Sequence, residues 1–176
     1  HEQPHFTWEA PDELEAKWAG RNIRTPPNFR EIPYDRRYMA GTDDASTEQV
    51  LEQYRLYYAM IENLDANVGR LRRFLDEQGL ADNTVIIYVS DHGNSCCGHG
   101  LWFGAKGMPY EHSVGIPLIV CDPRDGQAGR VVNAPTCTED LYPTLLGLCG
   151  LTPAGERPGT DLTPVIAGRR DAPDRE

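Results

Sequence analysis

With 176 residues, of which 39% are hydrophobic and 25% charged, the chain is long enough for one domain with a real core. Its formal net charge of −10 argues against nucleic acid as a partner, because phosphate-binding surfaces are normally basic, although one local cationic spot could still hold a small anion. No apolar stretch approaches the ~20 residues needed to span a bilayer and no signal-peptide pattern is present; without an initial Met, the chain is expected to be a piece of a longer protein.

Residues 1–45 are rich in proline and charge, in PHFTWEAPDEL and then RTPPNFREIPYDRR. Pro4, Pro11, Pro26, Pro27 and Pro33 lack an amide donor and resist regular structure, so this segment is expected to be irregular apart from a short helix over residues 12–19. The pattern changes at Ser46, which forms a capping box with Gln49. Apolar side chains then recur at Val50, Tyr54, Tyr57, Ile61, Leu64, Val68, Leu71 and Leu75, one face of a long amphipathic helix. Gly79 stops it, which predicts a helix over residues 46–79.

VIIYV at residues 85–89 is too short for a buried helix and too continuous for a half-exposed strand. It fits a central strand covered on both faces, and IPLIVC at residues 116–121 fits a second. LYPTLLGL at residues 141–148 reads as a helix with Pro143 in its first turn, ended by Gly150. Residues 46–170 therefore form an α/β segment, expected as part of an α/β/α sandwich with a mostly parallel central sheet, the whole chain making one domain.

The first of these strands ends in Ser90-Asp91-His92-Gly93, where ligands sit in open α/β sheets. At a bending strand end an adjacent carboxylate and imidazole can reach one cation. Carboxylate oxygen suits Ca²⁺, Mg²⁺ or Mn²⁺, and imidazole suits Mn²⁺, Fe or Zn²⁺; the competing reading is a simple strand-end turn. The loop that follows carries Leu101, Trp102 and Phe103 in succession, so it is expected to fold back on the domain. Lys106 would then be held in place, and an ammonium beside a metal site suits an anionic substrate group. Five cysteines, Cys96, Cys97, Cys121, Cys137 and Cys149, show no CxxC or zinc-ribbon spacing. The vicinal Cys96-Cys97 is read as loop filling in preference to a soft-metal site.

SDHG followed by GHGLWFGAKGMPYEHSVGIPLIV resembles the sulfatase family within the alkaline phosphatase superfamily. PHFTWEAP is similar to that family's Pro-His loop, YYAMIENLDANVGRLRRFLDEQGL to its long helix, and TEDLYPTLLGLCGL with GTDLTPVIAG to the closing segment of its main domain. The resemblance covers most of the chain and implies an alkaline-phosphatase-like fold. It implies Asp91 and His92 as metal ligands, with Ca²⁺ the expected ion and Mg²⁺ or Mn²⁺ as alternatives. Many members carry Asn at the second position, so His92 marks a subgroup. Lys106 falls on a lysine that contacts the sulfate, and His5 on a histidine that contacts the ester or its leaving group. His99 falls in a His-Gly pair near the site, with a substrate-binding or a loop-stabilising role. His112 matches nothing and is expected at the surface or in a polar contact beside a helix.

The family's nucleophile is a formylglycine made in a C-x-P-x-R motif, and no cysteine here stands in one; Cys121 in CDPRD comes nearest. The Asp-Asp ligand pair is also absent. The resemblance thus implies the C-terminal part of a catalytic domain that hydrolyses small sulfated substrates, inactive alone and expected to associate with its N-terminal half or with itself. A phosphodiesterase or phosphonate monoester hydrolase of the same superfamily is the first alternative. A truncated, non-catalytic binding module is the second.

Overall fold

The computed structural model describes residues 4–5, 7–29, 46–124 and 129–174; most of the second proline-rich stretch, expected to be irregular, lies outside them. The chain divides into two compact units, His1–Leu80 with His92–Pro117, and Ala81–Asp91 with Leu118–Glu176.

The first unit contains helices α1 (Asp12–Trp18), α2 (Thr47–Glu77) and α3 (Glu111–Val114). α1 begins with Asp12, Glu13 and Glu15 and ends with Lys17, charges that complement its dipole. It packs on α2 through Trp18, whose ring stacks on Tyr58 at 5.1 Å and whose Nε1–H donates to Glu62 at 2.8 Å. α2 starts as the sequence predicts: Ser46 accepts from the Gln49 amide, and the Gln49 side chain accepts from the Ser46 amide. It ends in a Schellman turn, with Gly79 at φ 66° and the Leu80 amide donating to the Leu75 carbonyl at 2.9 Å.

The buried face of α2 departs from the predicted stripe. Val50 and Tyr54 are buried, but Ile61 and Leu71 stay exposed while Ala59 and Met60 are buried. Burial follows the elements that cover α2, and these lie near its N-terminal half. Arg55 is also buried there, paired with Glu48 at 2.9 Å and Glu52 at 2.8 Å, with its Nε donating to the Arg21 carbonyl.

The core of this unit centres on Phe103, which is 0% exposed. Trp8, Tyr54 and Tyr57 present their rings to it edge-on, with centroids at 4.9, 4.8 and 5.6 Å, the arrangement aromatic quadrupoles favour. Val50, Cys97, Ile23 and Phe29 complete the cluster. The loop carrying Leu101, Trp102 and Phe103 is therefore folded inward, as its run of apolar side chains requires.

The second unit contains strands β1 (Ile86–Val89) and β2 (Leu118–Cys121) and helices α4 (Leu141–Leu148) and α5 (Thr163–Ile166). β1 and β2 are neighbours, but they pair antiparallel, in the register Ile86 with Cys121 through Val89 with Leu118. This corrects the expectation of a mostly parallel sheet. The chain leaves β1 for the first unit and returns running the opposite way, so no crossover helix is needed. Neither strand is covered on both faces, and Ile119 is 60% exposed. In this unit α4 is held by polar contacts: buried Asp140 accepts from the amides of Cys137 and Thr160, both at 2.8 Å. One helical turn on, Thr144 Oγ1 accepts from the Leu162 amide at 2.9 Å.

Replacing Phe103 by Ala should leave a cavity at the meeting point of three rings and destabilise the first unit by about 3–5 kcal/mol. Denaturant unfolding of the intact protein, followed by aromatic fluorescence, measures it. A loss under about 1 kcal/mol would remove Phe103 from its central role.

Candidate functional site

β1 ends at Val89, and Asp91 is exposed just beyond it. The chain passes from the second unit into the first between Asp91 and His92. His92 is half-buried, with Nδ1 3.0 Å from the Gly93 carbonyl oxygen. A proton on Nδ1 donated to that oxygen leaves the ring's lone pair on Nε2, the tautomer a metal ligand needs.

Gly93 fixes where the loop starts. Its amide donates to the Ser113 carbonyl at 2.9 Å, and a side chain there would meet the His112 carbonyl oxygen at 2.0 Å. The loop is then closed on itself, the Ser95 amide donating to the Ala105 carbonyl and the Cys96 amide to the Phe103 carbonyl, both at 2.9 Å. The Ser95 hydroxyl donates to the Trp102 carbonyl, and the Tyr54 hydroxyl to the Cys96 carbonyl. Lys106 directly follows this closed segment and is half-buried.

Three non-glycine residues in the loop have left-handed backbone: Cys96 at φ 48°, Cys97 at φ 60° and His99 at φ 54°. Each such residue stores about 1–3 kcal/mol, which persists only where the surroundings over-determine it. Neither Cys96 nor Cys97 is in a disulfide. Burial pushes the Cys96 thiol up to about 12, with Cys97 adding to the rise, so it is a packing group and not a nucleophile. Burial likewise raises the Tyr54 hydroxyl well above its usual range.

His99 is tied down on two sides. Its amide donates to the Asn28 carbonyl at 3.0 Å, and its ring stacks on Tyr110 at 3.9 Å between centroids. His112 completes the group, 5.5 Å from both rings. This corrects the placement of His112 at the surface or in a polar contact beside a helix: the ring is half-buried, and its Nε2 is buried with no hydrogen-bond partner among the described residues. Burial, then the nearby His99, lowers its pKa from 6.5. Sequence reading missed the cluster, because Tyr-x-His spacing on a short segment gives no sign that a third ring lies above it.

His5 is exposed, three residues before Trp8, whose ring packs on Phe103. Lys106 lies three residues after Phe103. One aromatic contact therefore anchors the segments of both residues within the first unit.

Among the described residues no group of three or more His, Cys, Asp or Glu is arranged to hold a metal ion. The chemistry of the two candidate ligands nevertheless fits a divalent cation: an exposed carboxylate, and an adjacent imidazole whose Nδ1 contact favours a metal-binding Nε2. Lys106, His5 and His99 belong to the same unit as His92, and a lysine ammonium is a residue type suited to an oxyanion.

Comparison with known proteins gives a coherent result. The family model described as Sulfatase matches residues 2–151. The choline-sulfatase of Rhizobium meliloti is 36% identical over 81% of this chain, which spans 28% of that protein. The steryl-sulfatase of Mus musculus is 36% identical over 64% of this chain and 20% of its own length. The solved phosphonate monoester hydrolase of Silicibacter pomeroyi superposes with a TM-score of 0.77 at 27% identity, covering 94% of this chain and 36% of that one. The chain thus spans roughly a quarter of the length of the curated relatives it matches.

Gly93→Ala would press a methyl group onto the His112 backbone. It should destabilise the protein by about 1–3 kcal/mol and reduce the metal bound per chain, by displacing the neighbouring His92. Thermal unfolding and elemental analysis test the two effects. An unchanged midpoint would show that the backbone at His112 yields.

Proposed function

This chain belongs to the sulfatase family, and we propose that it forms the part of a sulfuric ester hydrolase that grips the sulfate group and contributes to a divalent-metal site. One observation carries the reading. The family match runs through residues 2–151 and includes the loop that carries His92, His99 and Lys106 and that packs Cys97 and Phe103 into the core of the first unit. In this reading Asp91 and His92 hold the cation, with Ca²⁺ preferred over Mg²⁺ or Mn²⁺. Lys106 meets the sulfate oxygens, His5 gives a proton to the departing oxygen, and His99 borders the anion. A cation held by Asp91 and His92 would supply Lewis-acid stabilisation of the sulfate charge, and the attacking oxygen would come from a formylglycine outside this sequence.

Charge neutralisation by Lys106 is the largest contribution this chain makes to the reaction, because it acts where negative charge is concentrated. Two ligands fall short of the about six to eight oxygens that Ca²⁺ takes. No cysteine here stands in a C-x-P-x-R sequence. The nucleophile, the remaining ligands and the rest of an α/β/α sandwich are therefore assigned to other parts of the polypeptide. Exposed apolar side chains such as Ile119 and Leu151 are suited to contact with that part or with a second copy.

The likeness to a phosphonate monoester hydrolase over 94% of the chain supports a second reading, in which the same site takes a phosphonate or phosphate ester. Comparing kcat/KM for an aryl sulfate and an aryl phosphonate ester in the intact protein separates the two. A preference for the phosphonate would displace the sulfatase reading.

In the intact protein Lys106→Ala should lower kcat on an aryl sulfate by about 10²–10³-fold and leave metal content near that of the wild type. Asp91→Ala should release most of the metal, and a chelator should abolish turnover in the unmodified protein. Full activity in Lys106→Ala would sink the site assignment.

A further inference from the structure

Among the described residues, the His112 imidazole beside the candidate site is one of the groups whose chemistry packing does not explain; the neighbouring Ser113 hydroxyl, also buried without a hydrogen-bond partner, is another. As a filler between Tyr110 and His99 an apolar ring would serve better, because it has no nitrogen to leave unsatisfied. Nε2 of His112 is instead buried without a partner among the described residues, an arrangement that lowers stability and persists where the atom has another use. His112 is placed firmly: it sits in α3, its carbonyl lies against Gly93, and the Ser113 carbonyl accepts the Gly93 amide. The ring it faces is equally fixed. His99 holds left-handed backbone, bonded to Asn28 and stacked on Tyr110. The two imidazole centroids are 5.5 Å apart with the planes tilted by 37°. At that separation a rotation of the His112 ring about its Cβ–Cγ bond, with its backbone and the His99 ring in place, brings a nitrogen of each ring within hydrogen-bonding range.

Resting on the sulfatase reading, we propose that His112 is a positioning residue for His99: its buried Nε2 accepts one ring N–H of a His99 imidazolium whose other N–H holds a sulfate oxygen. An imidazolium is a donor at both nitrogens, so it needs an acceptor on each side. The bound anion supplies one and neutral His112 the other. Burial favours the neutral form of His112, and a charge on His99 opposes a second one beside it. Tyr110 completes the arrangement, since the face of an aromatic ring attracts a cation. The assembly thus directs a single proton towards the anion, the role a carboxylate or carbonyl often plays behind a functional histidine.

Inorganic sulfate is the probe. Its effect on the thermal midpoint of the intact protein gives an apparent Kd, at millimolar concentrations below those where sulfate acts by exclusion from the surface. His112→Phe keeps a flat ring and removes the acceptor. Without sulfate its midpoint should equal or exceed that of the wild type, and its apparent Kd should weaken by about tenfold or more. His112→Gln, which restores an acceptor, should recover part of the affinity. A His112→Phe protein that responds to sulfate like the wild type overturns the proposal, whether its midpoint falls or not. If that variant does not fold, nitrogen NMR of the wild-type imidazoles decides: sulfate should shift His112 Nε2 towards a hydrogen-bonded acceptor, and an unmoved signal overturns the proposal. A wild-type protein with no sulfate response removes this inference and the sulfatase reading together, whereas a normal response kept in His112→Phe removes this inference alone.

Discussion

The first unit is organised by one ring. Phe103 lies where Trp8 from the N-terminal segment and Tyr54 and Tyr57 from α2 meet edge-on, so three stretches far apart in sequence are fixed by a single side chain. The loop that carries it has almost no regular structure to hold it. Its internal hydrogen bonds close Ser95 and Cys96 onto Ala105 and Phe103, but bonds within a loop do not dock it. Burial of Phe103 and Leu101 does that, and it offsets the strain of left-handed backbone at Cys96, Cys97 and His99.

Rigidity of this kind suits the proposed chemistry. Recognition of a sulfate needs cationic and donor groups held before the anion arrives, because reorganising them during the reaction would cancel much of the electrostatic gain. Lys106 emerges from the closed loop directly after Ala105, and His92 enters it beside Gly93, whose missing side chain lets the loop lie against α3. His99 takes its orientation from Tyr110 and Asn28. These candidate groups stand on a packed platform, although most of their backbone belongs to no helix or strand.

The second unit is held differently. Asp140, just before α4, and Thr144, one turn on within it, accept backbone amides of the segment that leads into α5. A buried carboxylate is stable here because it accepts charge-assisted bonds from the Cys137 and Thr160 amides. Apolar packing contributes less, and Ile119, Leu145 and Leu151 remain exposed.

Much of this was legible in the sequence. α2 and both its ends followed from local rules, since the Ser46–Gln49 box and the turn at Gly79 depend only on neighbouring residues. The inward fold of the loop followed from Leu101, Trp102 and Phe103, because consecutive large apolar groups are too costly to leave in water. The candidate residues and the family were legible as motifs in order. Strand direction was not: a short apolar run has no polarity, and only the path of the chain between β1 and β2 made the pair antiparallel. The stripe on α2 gave a period but could not tell which turns find a partner, so Ala59 and Met60 are buried while Leu71 is not. The His99–Tyr110–His112 group was equally hidden, because it is made by a left-handed turn at His99 that brings its ring back over a later segment. The sequence singled out the residues proposed to carry the chemistry; tertiary packing decided which side chains face one another, since that depends on contacts between segments that no local pattern encodes.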